Sequence, residues 1–269
     1  HAIREPPKAP IANVKSLFRS NQVNKMPHSS PTTRSSVQIL VWDVPVRVFH
    51  WLLVLCFAGA WLTAESERWR QIHVTLGYTM AGLVAFRVVW GFLGTRHARF
   101  KSFVRGPSAV TAYLKSLVGR NPQHFIGHNP AGALAIVGLL ALIVVVTISG
   151  WAIINDIGGK LFEEAHEVGA DALLALVIVH VLGVIASSLL HRENLVRSMV
   201  TGRKNASNAE EIYSDTTESA SKPAPRTWAT LGAVILLIVV GFWVWEWKNP
   251  PVVISEATEI RMNPTEKHP

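Results

Sequence analysis

Four histidines, His50, His73, His166 and His180, lie in or open strongly apolar segments of this 269-residue chain. An imidazole inside a membrane helix is costly and usually has a partner or a metal. His166 and His180 are 14 residues apart. At ~100° and ~1.5 Å per residue they share one helix face and lie ~21 Å apart along the axis. Imidazole suits haem iron as an axial ligand, and two imidazoles per iron leave no position for dioxygen or substrate. The chemistry is then outer-sphere electron transfer, and the spacing suits two stacked haems, one near each membrane face.

The elements that must position these residues are membrane-length helices. The chain is 49% hydrophobic and only 16% charged, and a bilayer core of ~30 Å needs about 20 helical residues. Ala131 to Ile154 and Val168 to Leu190 meet this without a Lys or Arg. Val44 to Ala64 carries Arg47 and His50, and His73 to Gly94 carries Arg87, but each is otherwise apolar. A fifth span, Trp228 to Trp247, ends in Phe242, Trp243, Trp245 and Trp247, a cluster suited to a lipid–water boundary. The expected fold is an all-α integral membrane protein, a four-helix haem-binding bundle plus a fifth C-terminal transmembrane helix.

The net charge of +8 is distributed by loop and not along one face, which argues against nucleic acid. Thr95 to Pro130 holds Arg96, Arg99, Lys101, Arg105, Lys115 and Arg120 with no acidic residue. By the positive-inside rule this loop is expected in the cytoplasm. Asn155 to Glu167 carries Asp156, Glu163, Glu164 and Glu167 against Lys160 alone, and is expected on the other side. Cys56 is the single cysteine, so disulfides within the chain, Cys-rich zinc sites, iron–sulfur clusters and CxxCH haem attachment are excluded.

Depth then pairs the histidines. His73 and His166 both open helices at the outer boundary, so they are expected to meet around an outer haem. His180 is ~21 Å further along its helix, leaving ~9 Å to the inner face. His50 lies about the same ~9 Å into the first helix from Val44, so these two are expected to hold an inner haem.

Arg87 is 14 residues beyond His73 on the same face, at the inner haem's level. It is expected to meet a haem propionate, the alternative being a snorkelling arginine. His128, just before the third span, is a candidate contact for a propionate or quinone, or a plain interfacial histidine. Gly77, Gly82, Gly169 and Gly183 would admit a flat macrocycle, or else serve close helix packing. Asp171 has no single assigned role, His191 falls too near the inner end to pair with His50, and His97 and His124 are expected to be solvated. Ser108 to Leu117 is either an amphipathic surface helix with Val110, Tyr113, Leu114 and Leu117 toward lipid, or an ordinary basic loop.

The expected organisation is a flexible cytoplasmic tail over 1–40, a four-helix di-haem domain over 41–204, a linker over 205–226, the fifth helix over 227–248 and a periplasmic tail over 249–269. The polar first 35 residues do not resemble a cleavable signal sequence, and Met26 is a candidate alternative start.

The runs Val41-Trp-Asp-Val-Pro-Val-Arg-Val-Phe-His50-Trp51, Ile72-His73-Val-Thr-Leu-Gly77-Tyr78, Ala165-His166-Glu167 and Val179-His180-Val181, in this order, resemble the bacterial cytochrome b561 and nickel–iron hydrogenase cytochrome b subunit family. The resemblance covers roughly Val41 to Lys204. It implies two haem b groups ligated by His50, His73, His166 and His180, quinone as a redox partner, and an inner-membrane location. The function expected is electron transfer between a periplasmic partner and membrane quinone, as a subunit of a larger complex. Two other readings stay open: an assembly or anchoring subunit, favoured by the fifth helix and the tails, and a superoxide:quinone oxidoreductase, for which Arg68, Arg70 and Lys160 offer only a thin set of guiding charges.

Overall fold

A computed structural model describes residues 37–119, 125, 127–206 and 226–249. The expected terminal tails and most of the linker lie outside the described residues. In chain order the elements are β1 (Val37–Leu40), α1 (Val44–Thr63), a short 3-10 turn (Glu67–Trp69), α2 (Arg70–Leu93), α3 (Phe100–Phe103), α4 (Pro107–Val118), α5 (Pro130–Ile154), α6 (Lys160–His191), α7 (Leu195–Thr201), β2 (Arg203–Ala206) and α8 (Arg226–Lys248). Five helices, α1, α2, α5, α6 and α8, are long and apolar enough to cross a membrane. The expected all-α membrane fold is present, with a two-stranded ladder added.

Local sequence sets the helix starts. Asp43 caps α1 by accepting a hydrogen bond from the Val46 amide at 2.8 Å, and Pro45 follows in the first turn, where its missing N–H costs nothing. Asn129 caps α5 through the Gly132 amide at 2.7 Å, with Pro130 in the first turn. Between α5 and α6 the chain reverses through Gly158 (φ +75°), where any Cβ would sit 2.2 Å from the Phe162 ring, so only glycine fits.

The helices pack as two antiparallel hairpins, α1 with α2 and α5 with α6, joined through α2 and α5. Neither α1 nor α2 is a principal packing partner of α6. The core between them is formed by Phe49 and Cys56 of α1, Leu76, Met80, Leu83 and Val84 of α2, Leu140 and Ile143 of α5, and Leu173 of α6. α8 lies along α1 and inserts Ile235 into the same core. Its first turns meet Trp90 and Val44, and its last turns meet Tyr78 and Thr79, so it runs parallel to α1. The bundle thus has a basic-loop end, where α1, α5 and α8 start, and an acidic-loop end at the α5–α6 turn.

Four findings refine the sequence expectations. Val37–Leu40, expected within the tail, pair antiparallel with Arg203–Ala206, Leu40 opposite Arg203 and Val37 opposite Ala206, so the last four residues of the expected tail and the first two of the expected linker are paired strand. Gly202 (φ +81°) anchors this clasp, its carbonyl accepting from Val41 and Trp42 at 2.9 and 3.0 Å. The Ser108–Leu117 segment is helical within α4, but Tyr113 is buried against the bundle facing Ser187, and not turned to lipid, while Leu114 is exposed. The short α3 had no counterpart in the periodicity. It matters because it carries Phe100 and Phe103 to the basic-loop end.

Candidate functional site

His73 and His166 come together at the acidic-loop end, their ring centroids 6.2 Å apart with the planes at 70°. Both rings are half-buried. The Nδ1 of His73 lies 2.9 Å from the Ala60 carbonyl, and the Nδ1 of His166 lies 2.9 Å from the Val146 carbonyl. A carbonyl only accepts, so each Nδ1–H donates and each Nε2 keeps its lone pair. This is the arrangement by which a neighbouring carbonyl fixes a metal-ligating imidazole's tautomer and ring orientation. Two metal–nitrogen bonds of ~2.0–2.1 Å plus the two ring radii add to roughly 6 Å, so the centroid separation fits one metal ion between the pair. Ser149, buried on α5, lies 3.3 Å from the same His166 Nδ1, and Gly150 brings α5 so close that a Cβ would meet the His166 ring at 3.0 Å.

His50 on α1 and His180 on α6 lie within electrostatic reach of each other in the other half of the bundle. Both are half-buried, and the His50 Nδ1 is buried without a hydrogen-bond partner. The expected pairs would draw on α2 and α6 for one and α1 and α6 for the other, and of the two only His73 and His166 are in ring contact. Among the described residues no three His, Cys, Asp or Glu side chains gather into a metal cluster. Paired imidazoles alone suit a metal that brings its own equatorial ligands, which is what a haem does.

The glycines divide. A Cβ at Gly77, Gly82 or Gly183 would enter open space, whereas one at Gly169 would meet Val146 at 3.1 Å. Gly77 is one turn from His73 and Gly183 nearly one turn from His180, so there is room beside one histidine of each expected pair. Gly169 serves helix packing.

Arg87 is 3% exposed at the basic-loop end, its guanidinium 5.0 Å from the centroid of Phe100 and 6.0 Å from that of Phe103. It is not a snorkelling side chain. The His128 ring is held between Trp42 and Phe103, at centroid distances of 4.5 and 4.6 Å. Burial, with the charges of Arg87, Lys204, His180 and His97 around it, pushes the His128 imidazole down to about 3, so it is neutral near pH 7. His97, expected to be solvated, is half-buried and belongs to this cluster. Asp43, at this same end, is committed to structure: besides capping α1 it accepts from the Trp90 indole at 3.0 Å and the Thr95 hydroxyl at 2.8 Å. Asp171 is exposed on α6, and His191 is that helix's last residue.

Sequence reasoning missed Trp42, Phe100 and Phe103, whose aromatic types carry no periodic signal outside a long helix. It also passed over Glu246, which is 5% exposed on α8 and turned toward Tyr78. A lone acid in an otherwise aliphatic run was the available signal.

The model of the prokaryotic cytochrome b561 family matches residues 41–202, the segment that supplies all four histidines. The chain belongs to that family. A cytochrome of b type implies haem b as its cofactor. Among similar proteins, a probable Ni/Fe-hydrogenase B-type cytochrome subunit of Rhodobacter capsulatus is 22% identical over 246 residues, covering 73% of this chain and 93% of the relative. The corresponding protein of Azotobacter vinelandii is 27% identical over 216 residues, covering 63% and 89%. The probable Ni/Fe-hydrogenase 1 B-type cytochrome subunit of Escherichia coli is 24% identical over 213 residues, covering 61% and 90%. No solved structure matches the chain. As a b561 cytochrome with five apolar helices it is a multi-pass membrane protein.

Proposed function

We propose that this b561 cytochrome holds two haem b groups, an outer one between His73 and His166 and an inner one between His50 and His180, and passes electrons between a periplasmic redox partner and membrane quinone. The observation that carries the reading is the His73–His166 pair, with both Nδ1 atoms engaged by carbonyls and the rings 6.2 Å apart. Haem b bound in this way supplies a one-electron carrier with no open iron position. The chain's own part is to fix the imidazole tautomers, keep the open space at Gly77 and Gly183, and exclude water with an apolar core.

The basic-loop end faces the cytoplasm in this reading, since the Thr95–Pro130 loop is rich in Arg and Lys and free of acids. That puts the N-terminal segment in the cytoplasm and the end of α8 in the periplasm of an inner-membrane protein. The printed names of the relatives, Ni/Fe-hydrogenase B-type cytochrome subunits, favour membership of a larger membrane complex.

Two measurements test the proposal. Chain isolated from native membranes in mild detergent is expected to carry periplasmic redox subunits with it. Reduced chain in vesicles is expected to be reoxidised by added quinone. Isolation alone together with quinone-insensitive haems would contradict it.

A further inference from the structure

The basic-loop end holds buried hydrogen-bond capacity that the histidine pairs do not use. Arg87 is 97% buried by its 3% exposure, and its Nη1 has no hydrogen-bond partner. The aromatic faces of Phe100 and Phe103 favour its charge but accept no conventional hydrogen bond from it. Nδ1 of His128 is likewise buried and unpartnered, in a ring that Trp42 and Phe103 hold in place. His180 and Lys204 act electrostatically on the same imidazole. Among the described residues two carboxylates act on this cluster, and both are engaged. Asp43 acts on Arg87 through space, but its oxygens take the Val46 amide, Trp90 and Thr95. Glu193 pairs with Lys204 at 3.2 Å.

An arginine sealed into apolar surroundings with a free donor is unfavourable unless an anion completes it. From this we infer that Arg87 and His128 form a buried carboxylate site for a propionate of the inner haem, Arg87 donating through its Nη1 and His128 through its Nδ1. Haem b carries two propionates, and the cluster contains a group that acts on His128 from α6, the inner ligand His180. Gly183 leaves room on the same stretch of α6. The β1–β2 clasp closes over the site, since Trp42 follows β1 and Lys204 belongs to β2. Arg87 and His128 would then hold an inner-haem propionate at the basic-loop end.

This inference rests on the two-haem reading above, and the test separates the two. The full chain is produced in a haem-deficient host and loaded with haem b or with its dimethyl ester, which lacks the carboxylates. Haem content is read first, and release to a scavenging globin second. In the wild type the ester is expected to leave one of the two sites at least about tenfold faster than haem b, the scale of a lost charge-assisted hydrogen bond. In Arg87→Gln haem b is expected to leave that site about as fast as the ester, and Arg87→Lys to recover part of the difference. Fewer than two haems in the wild type overturns both readings. Two haems with equal release of acid and ester, as a quinone or lipid occupant of the site would give, overturns this inference alone. So does an Arg87→Gln effect of the same size on both. If Arg87→Gln does not accumulate, the wild-type comparison of acid with ester decides.

Discussion

His73 and His166, 93 residues apart in sequence, face each other at 6.2 Å with each Nδ1 donating to a backbone carbonyl on a neighbouring helix. α1 supplies Ala60 and α5 supplies Val146, so each imidazole is aimed by the helix with which its own helix pairs as a hairpin. Removing either imbalances one site only. His73→Ala and His166→Ala are each expected to lower the haem content from two to one per chain, measured by pyridine haemochrome assay. The remaining haem should keep its low-spin spectrum.

Gly150 is the close neighbour of His166. A Cβ there would press on the ring at 3.0 Å, tighter than ordinary contact, and the ring must tilt to make room. Gly150→Ala is expected to keep two haems but shift the low-spin electron paramagnetic resonance signal of one of them. Gly150→Val is expected to reduce occupancy of that site, leaving the other signal in place.

The same two pairs illustrate what the sequence could and could not disclose. A 14-residue spacing on one helix and matched depths on two others give the expected pairing, of which the His73–His166 contact is seen, because helical rise and bilayer thickness are nearly fixed quantities. Phe100, Phe103 and Trp42 were not legible, since they reach Arg87 and His128 through a four-residue helix and a β-ladder whose positions depend on tertiary contacts. Tyr113 was expected toward lipid if Ser108 to Leu117 formed a surface helix, yet it is buried on the bundle while Leu114 of the same stripe is exposed. Amphipathicity marks a buried face without saying what buries it.

Asp43 ties α1 to the end of α2. Its carboxylate takes the Val46 amide, the Trp90 indole and the Thr95 hydroxyl. Asp43→Ala removes a helix cap and leaves buried donors unpaired, so a loss of ~1–3 kcal/mol is expected. Thermal unfolding followed by circular dichroism checks it, and Asp43→Asn should recover part of the loss by retaining an acceptor.

α8 is held on α2 by the Trp243 indole, which donates to the Thr79 hydroxyl at 3.0 Å. Trp243→Phe keeps the ring and loses the donor, at an expected cost of ~1 kcal/mol. Haem content should stay at two, because none of the paired histidines lies on α8. A loss of haem in this variant would assign α8 a direct part in cofactor binding.

The central claim is that two histidine pairs hold two haems, and His180→Ala tests it most directly. Haem per chain and spin state are measured on the purified wild type and variant. The expected result is two low-spin b haems in the wild type and one in His180→Ala, with the His73–His166 signal unchanged. A variant that keeps both low-spin haems, or a wild type that binds only one, would contradict the account.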